Sequence, residues 1–379
     1  MASRNLSPLR AALLLLAACG GASKPGCQPP LEKLGSNSPA TLAPGNESGQ
    51  DEDPSILVTR NPDGLYAAWY SNRLGTHPDG LARKEIFVTR STDGQSWTAP
   101  APATDSHAWS FYPSLARDAG GAFHLAWMRW RLLPAGCIYF DSTHCPGNAG
   151  CCTGTDRRIL HNTSADGLSF SESSAEEISP GPDDEMPSLL IASDGRLLAY
   201  FASGYRGGDT QRLLRVAVRD GAGWHAPVPL TGLDSTQNDT FPHVVERAPG
   251  SFLMTWTRYD RAQGENAFHP SAETMLSTSV DGIAWTPAQV ASGPSPTRTD
   301  VLPYLYSDHS ATIWSVLWVN EDGVVTLPVD GTFPRDLESL DLSGYSVRLA
   351  PTLTSGLDWA IWVEGSEPAQ QVRYKFLPR

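Results

Sequence analysis

The sequence predicts an all-β fold, a six-bladed β-propeller with four-stranded antiparallel blades, and two repeats support this prediction. In the first repeat, a proline opens a short apolar run, which is followed by a turn and an aromatic-rich strand. It occurs at Pro54, Pro113, Pro187, Pro242, Pro303 and Pro351. Proline is tolerated at the first residue of a strand, where no ladder N–H is lost. The steps between these prolines are 59, 74, 55, 61 and 48 residues, which fits one four-stranded blade per step.

The second repeat is a tight turn, S-x-D-G-x-x-aromatic, found at 91–97, 164–170 and 279–285. An Asp carboxylate in such a turn accepts backbone N–H bonds, Gly supplies a positive φ, and the aromatic ring can be buried. Weaker copies occur at Asp220-Gly221 and Asp330-Gly331. The turns fall between the third and fourth strands of a blade, so we predict a structural role on the outer rim.

These turns resemble the Asp-box, or bacterial neuraminidase repeat, of sialidase-type β-propellers. The resemblance covers residues 53–379 in repeat pattern. Sialidases in general hold the sugar carboxylate with three Arg and use a Tyr nucleophile, a Glu base and an Asp acid. One of those Arg lies in an F/Y-R-I-P motif, where this chain has Glu52-Asp53-Pro54 instead. Asp-box propellers also include other glycosidases, lyases and non-catalytic binding proteins, so the fold leaves the activity open.

The first fifty residues read as export and attachment segments. Residues 1–18 carry Arg4 and Arg10 before an apolar run that is too short to span a bilayer, which predicts a signal peptide. The run ends in Leu-Ala-Ala-Cys19, which resembles a bacterial lipobox and implies lipidation of Cys19; an ordinary signal peptide is the alternative. Residues 19–50 read as a flexible tether and residues 51–379 as the propeller. We expect a protein of the bacterial cell envelope, with the outer membrane favoured because Gly20 follows the cysteine.

The net charge indicates which classes of partner the protein is not expected to bind. The formal net charge is −13, which argues against binding to nucleic acid and to anionic lipid. We therefore expect membrane contact through the lipid anchor only, a monomeric protein and no cofactor.

Four cysteines crowd into an insertion between the second and third strands of the second blade. They are Cys137, Cys145, Cys151 and Cys152. In an exported protein this pattern favours two disulfides. A zinc site that also uses His144 or His161 is the alternative.

The candidate site combines three kinds of side chain at one face. Four Arg that could hold a sugar carboxylate or sulfate follow second strands: Arg73, Arg131, Arg206 and Arg258. Four carboxylates before blade-opening prolines are candidates for general acid and base: Asp184, Glu185, Asp239 and Asp300. A further acidic run, 51–53, precedes the first proline, and Trp109 and Tyr112 offer faces for sugar rings.

Two functions follow from this pattern. The first is a sialidase-like propeller that binds a carbohydrate at its central face and is a candidate exo-sialidase-like glycoside hydrolase. The second is a non-catalytic surface propeller that scaffolds a protein partner. The second follows if each Arg only neutralises a neighbouring carboxylate.

Overall fold

A computed structural model describes the protein from residue 40 to residue 378, with gaps. The gaps are 43, 47–48, 60–63, 79, 81, 95, 107, 132–155, 180, 182, 205–211, 222, 234–236, 260–271, 293–300, 308–313, 321–322, 330–344, 352–356 and 365–368. The predicted signal peptide and most of the tether lie outside the described residues. So do several predicted functional positions: Cys19, Cys137, Cys145, Cys151, Cys152, Arg206 and Asp300.

The described strands form a β-propeller whose blades follow one another along the chain. Blade I contains β2 (Asp51–Thr59), β3 (Gly64–Ser71), β4 (Glu85–Ser91) and β5 (Ala101–Pro102). Blade II contains β6 (Ala108–Arg117), β7 (Phe123–Arg131), β8 (Arg157–Ser164) and β9 (Glu176–Glu177), with a 3-10 turn at Glu172–Ser174. Blade III contains β10 (Asp184–Ile191), β11 (Leu197–Gly204), β12 (Arg212–Asp220) and β13 (Gly223–Trp224), and β14 (Val228–Pro229) also pairs with β12. Blade IV contains β15 (Asn238–Ala248), β16 (Ser251–Tyr259), β17 (Glu273–Ser279) and β18 (Gln289–Val290).

Two further sheets complete the ring. A three-stranded sheet contains β19 (Val301–Ser307), β20 (Trp314–Asn320) and β21 (Gly323–Pro328). The closing blade contains β22 (Tyr345–Pro351), β23 (Leu357–Glu364), β24 (Gln371–Pro378) and the N-terminal β1 (Ala40–Thr41).

The prediction of six four-stranded blades is wrong in its count. Within the described residues, four sheets have four strands, the sheet of β10 to β14 has five, and the sheet of β19 to β21 has three, so five sheets are complete blades. The outermost strand of each of the five blades is only two residues long. A strand of two residues has few hydrogen bonds and no visible hydrophobic alternation, so its presence or absence in a given blade cannot be predicted from the sequence.

The closing blade joins the two ends of the chain. Ala40 pairs with Tyr374 and Thr41 with Arg373, so the N-terminal strand becomes the outer strand of the last blade. Leu42 is only 3 % exposed and packs in the core between the closing blade and blade I. These residues belong to the segment that the sequence assigns to the tether, which therefore contributes a strand at its end.

A shared irregularity marks the first strand of every sheet in the described part. Each of these strands has a β-bulge near its start, where it carries one extra residue relative to its neighbour, and β15 has a second irregularity between Glu246 and Ala248. At the shared bulge a residue other than glycine has a φ of 50° to 58°. These left-handed residues are Asp53, Tyr112, Met186, Phe241, Leu302 and Ser346.

The positions of the bulges show which of the predicted prolines begin a sheet. In five sheets the residue after the left-handed position is the predicted proline. In the closing blade Val347 stands there, and Pro351 lies at the end of β22 opposite Asp358. The prediction that Pro351 opens the sixth unit is wrong, because the bulge depends on the backbone conformation of the preceding residue and does not require proline.

The S-x-D-G turns have the hydrogen bonds expected of them. In blade IV the Asp281 carboxylate accepts the N–H groups of Ile283 and Ala284, both at 2.8 Å, and the hydroxyl of Ser279 at 3.0 Å. Gly282 has a φ of +78°, and a Cβ there would lie 2.7 Å from the Tyr200 hydroxyl. Glycine is therefore required both for the turn and for the close approach.

The turns of blades I and IV also contact the blade before them. The Tyr200 hydroxyl of blade III donates to the Gly282 carbonyl of blade IV at 3.0 Å. In blade I, Trp97 stacks on Trp359 of the closing blade with 5.4 Å between ring centroids. The weaker copy at Asp220 differs, since its carboxylate contacts the His225 ring at 2.7 Å. The predicted structural role of the turns is thus a role at blade junctions.

No helix in the described part of the chain is long and apolar enough to cross a membrane.

Candidate functional site

The first strands surround a central channel of ≈ 420 Å³. All six sheets contribute to its wall, through β2, β6, β10, β15, β19 and β22. The residue two positions after the left-handed residue lines the channel in all six first strands, and the left-handed residue itself lines it in blades I to IV. The chemistry of the channel therefore depends on which side chains occupy these two repeated positions.

The second of these positions links neighbouring sheets. The Ser55 hydroxyl accepts the Leu115 N–H at 3.1 Å, and the Ser114 hydroxyl accepts the Leu189 N–H at 2.9 Å. At the same position of blade IV, Nδ1 of His243 accepts the N–H of Leu305 at 3.1 Å. A side chain at this position can therefore line the channel and also bind the first strand of the next sheet.

One sector of the channel departs from the repeat. Blades I to III have serine at the linking position, whereas the next three sheets have His243, Tyr304 and Arg348. The His243 and Tyr304 rings lie 3.9 Å apart between centroids, and the Arg348 guanidinium carbon lies 5.1 Å from the Tyr304 centroid. The three side chains form one stack that crosses three sheets.

Asp53 is the acidic member of the left-handed positions, and it lies beside this stack in the channel wall. Burial, with a smaller contribution from Glu52, raises the pKa of Asp53 to about 8 against the opposing effects of Arg348 and Lys84. Its carboxyl group is therefore protonated at neutral pH. Burial and the nearby Arg348 also lower the pKa of His243 to about 3, so this imidazole is neutral.

The predicted carboxylates Asp184 and Asp239 occupy a different repeated position, two residues before the left-handed residue. Asp51 lies at the same position in blade I, and all three residues are at most 1 % exposed. Asp239 accepts two bonds from the Arg258 guanidinium, at 2.7 and 2.9 Å, and one from Trp256 at 2.9 Å. The Asp239 carboxylate therefore links β15 to β16 within blade IV.

Arg73 is held in a similar way. Its guanidinium lies 2.8 Å from the Asp51 carboxylate and 5.0 Å from the centroid of the Phe87 ring. Arg73 and Arg258 are thus each paired with a carboxylate of their own blade. Whether either also touches a ligand stays a prediction.

Glu185 belongs to a buried charge network between blades II and III. Arg157 contacts Glu185 at 2.6 Å and Asp183 at 2.5 Å. Arg212 contacts the same two carboxylates. Two guanidinium groups thus neutralise two carboxylates, an arrangement that fixes the strand ends near the channel mouth.

The predicted aromatic residues lie at the junction of blades I and II. Tyr112 lines the channel and meets Phe241 edge to face, with 6.1 Å between centroids. Trp109 donates to the Ala82 carbonyl at 2.8 Å, and its ring lies 4.9 Å from the Lys84 ammonium. Tyr112 is therefore the predicted site residue that shares the channel with Asp53. For Arg131 the structure describes the backbone, at the end of β7.

A Tyr–Glu pair lies next to Asp53. The Tyr70 hydroxyl is hydrogen-bonded to Glu52, and burial, Asp53 and Glu52 all raise the pKa of this tyrosine. The Tyr70 ring is 4 % exposed and packs edge to face on Phe111. Tyr70 therefore stays protonated and shielded, which disfavours it as a nucleophile.

His161, one histidine of the alternative zinc site, is buried between blades II and III. Its Nε2 lies 3.1 Å from Nδ1 of His124, and its Nδ1 accepts the indole N–H of Trp224 at 3.3 Å. Both ring nitrogens are thus engaged within the protein. Among the described side chains, no group of three or more His, Cys, Asp or Glu is placed to hold a metal ion.

Sequence reasoning missed Arg348 and did not single out Asp53. A signal for Arg348 was present, since Ser346-Val347-Arg348-Leu349 aligns with Tyr-Pro-Ser-Leu at 112–115 once proline is not required. Phasing the sixth unit on Pro351 hides this alignment. Asp53 becomes distinctive only when the left-handed positions are compared.

Comparisons with known proteins agree with the architecture. No protein-family model and no curated protein matches the sequence. A protein of unknown function from Dyadobacter fermentans is 14 % identical with a TM-score of 0.65, over 89 % of this chain and 97 % of that one. An α-L-arabinanase from Penicillium chrysogenum is 16 % identical with a TM-score of 0.58, over 90 % and 97 %. The NanB sialidase from Streptococcus pneumoniae is 12 % identical with a TM-score of 0.55, over 89 % and 70 %. These similarities show a shared β-propeller fold.

Proposed function

We propose that this protein is a carbohydrate-active propeller that binds a glycan over its central channel and hydrolyses it, with Asp53 as general acid. The observation that carries the proposal is the departure from the repeat in one sector. Asp53 is the one acid among the left-handed positions of the described first strands, Tyr304 and Arg348 stand where blades I to III have serine, and all three line one cavity. The sialidase and arabinanase neighbours support a carbohydrate ligand.

Asp53 has the protonation state that a general acid needs. With a pKa raised to about 8, it carries a proton at neutral pH and can give that proton to a glycosidic oxygen. As the bond between the anomeric carbon and this oxygen breaks, water adds to the anomeric carbon and its released proton returns to the solvent. Asp53 then takes up a proton to complete the cycle. Tyr112 and Phe241 offer apolar surface to the sugar ring.

The test combines binding with turnover. The mature protein is screened on a glycan array and against a panel of fluorogenic aryl glycosides, including sialosides and arabinosides. Asp53→Asn should keep glycan binding and lose turnover by at least about a hundredfold, as expected for loss of a general acid. Ser188→Thr, a conservative change elsewhere in the channel wall, is the control and should keep both. A parent protein that binds no glycan, or an Asp53→Asn variant that turns over at the parent rate, contradicts the proposal.

A second candidate is a non-catalytic scaffold for a protein partner. The closed ion pairs of Arg73 with Asp51 and of Arg258 with Asp239 favour it, because they engage two of the predicted sugar-binding arginines. The glycan screen separates the two functions. Absence of both binding and turnover in the folded parent, together with a specific protein cross-linked to the channel face in cells, supports the scaffold.

We also propose that the chain is lipid-anchored in the bacterial cell envelope through Cys19. The Leu-Ala-Ala-Cys sequence at the end of the apolar run supports this. Cys19→Ser should release the protein from the membrane fraction or block its processing, whereas Cys27→Ser should change neither. Membrane fractionation and the mass of the N-terminal peptide are the measurements. A Cys19→Ser variant that matures and fractionates like the parent contradicts the proposal.

The cysteine insertion gives a further test of export. We propose that Cys137, Cys145, Cys151 and Cys152 form two disulfides. Their thiols should resist alkylation until a reductant is added, and treatment with a chelator should not expose them. Four free thiols in natively exported protein, or stoichiometric zinc, would favour the alternative.

A further inference from the structure

Several polar groups in the wall of the channel can donate a hydrogen bond into it. The Ser55 and Ser114 oxygens each accept an N–H from the next blade, so their hydroxyl hydrogens are left to donate. Nδ1 of His243 accepts the Leu305 N–H, and the imidazole is neutral, so its hydrogen lies on Nε2. Three polar groups of the wall thus keep a hydrogen that is not used in their bonds to neighbouring strands.

The sector around Arg348 adds further donors. Arg348 gives one N–H to the Val347 carbonyl at 3.0 Å, and its guanidinium lies over the Tyr304 ring. Burial raises the pKa of Tyr304, so its hydroxyl keeps its hydrogen. Asp53 is also protonated near neutral pH and can act as a donor. A cationic group therefore lies among neutral donors inside the protein.

The surrounding charges leave this corner with a positive balance. Glu52 is hydrogen-bonded to Tyr70, and Lys84 lies close enough to lower the pKa of Asp53. Arg157 and Arg212 act on the channel from the side of Tyr112, but Asp183 and Glu185 neutralise them. Burying a guanidinium group is costly unless a counter-charge accompanies it. An anion has only acceptor sites, so it matches both the charge and the donors.

We propose that the channel binds one small inorganic anion, such as chloride or nitrate, at the corner formed by Arg348, Tyr304 and Asp53. The channel volume of ≈ 420 Å³ leaves room for the anion and several waters. The anion site shares Asp53, Tyr304 and Arg348 with the proposed glycan site, but its ligand needs neither a sugar nor turnover. Its failure and that of the proposed function can therefore be told apart.

The experiment uses the mature protein dialysed into gluconate and titrated with chloride at constant ionic strength. We expect saturable broadening of the ³⁵Cl resonance and a saturable rise in melting temperature in the parent. Arg348→Gln should abolish both effects. Arg117→Gln is the matched control: Arg117 is another arginine of the channel wall, held 5.2 Å from the Phe123 ring, and its loss should leave both effects intact.

A second variant tests the site without removing the charge. Tyr304→Phe keeps the stacked ring and removes one donor, so chloride affinity should fall by about tenfold, the effect of one lost hydrogen bond. This readout also keeps the proposal testable if Arg348→Gln does not fold.

The protonation of Asp53 provides a third readout. Chloride affinity in the parent should fall as the pH rises through 8, by up to tenfold per pH unit, because ionised Asp53 repels the anion. In Asp53→Asn the affinity should not change over this range. The proposal is overturned by a parent that shows no saturable chloride or nitrate effect, by an Arg348→Gln variant that binds like the parent, or by a site that takes sugar carboxylates but no inorganic anion.

Discussion

Replacing Asp53 by Asn should change how the stability of the protein depends on pH. In the folded protein burial raises the pKa of Asp53 to about 8, against an ordinary value of 3.8. Between these two values the folded protein keeps a proton that the unfolded chain has lost. The free energy of unfolding of the parent therefore falls as the pH rises from about 4 to about 8. Asparagine has no proton to lose, and it tolerates the left-handed backbone at this position.

The size of the effect follows from the shift. One pKa unit corresponds to about 1.4 kcal/mol, so the parent should lose about 1.4 kcal/mol per pH unit relative to Asp53→Asn. Over the whole window the difference is at most roughly 5–6 kcal/mol, and water that reaches the channel will reduce it. The free energy of unfolding of the variant, relative to that of the parent, should increase with each pH step up to 8 and then stay constant.

The assay is chemical denaturation of parent and variant at pH 5, 6, 7, 8 and 9. Two other groups also make the stability depend on pH in this range. Burial raises the pKa of Glu85 to about 7, and His161 is neutral in the folded protein, because burial lowers its pKa, but titrates in the unfolded chain. Their effects cancel in the difference between parent and variant. Asp166→Asn is the control, because hydrogen bonds lower the pKa of Asp166 and its ionisation should not change between pH 5 and 9. A difference for Asp53→Asn that stays constant from pH 5 to pH 8 would refute the reasoning.

Three further predictions concern the ring itself. Asp281→Ala should cost about 1–3 kcal/mol of unfolding free energy through unpaired N–H groups in the turn, while Asp220→Ala, with an exposed carboxylate, should change it by less than about 0.5 kcal/mol; urea denaturation measures both. Leu42→Ala should cost about 2–4 kcal/mol, because Leu42 is buried where the ring closes, and a change within error in the same assay would place closure elsewhere. Asp239→Asn should cost about 3–5 kcal/mol, because it removes the carboxylate charge that Asp239 places against the buried Arg258 guanidinium; a melting temperature equal to that of the parent would contradict the ion pair.

The sequence predicts the propeller well because its two repeats reflect local backbone requirements. The prolines mark five of the six first strands, and Gly282 marks a turn that needs a positive φ. The ring closure could not be predicted, since β1 is two residues long and depends on pairing with a strand more than 300 residues away. The sixth unit was misplaced because Val347 supports the same bulge that proline supports elsewhere.

The candidate site was predictable only in part, because residue type does not show which partner a charge finds. Arg73 and Arg258 look like anion-binding residues in the sequence, yet each meets a carboxylate of its own blade. Tyr112 lines the channel, and its contact with a sugar stays a prediction. Asp53 and Arg348 could be recognised only after superposition of the bulges, which shows that they replace serine or apolar residues.

The side-chain links between first strands have a consequence for how the ring opens. Serine and histidine can accept the N–H of the next strand, but an arginine at the same position has only donors to offer. The junction after Arg348 is also the one closed by the short N-terminal strand. The junction between the closing blade and blade I therefore cannot have the side-chain link that Ser55, Ser114 and His243 make to the next first strand, and Arg348 lines the cavity there instead. A ligand bound in the channel should stabilise this junction more than the others. Hydrogen exchange of β22 and β2 should therefore slow more than that of blade III when the ligand is added.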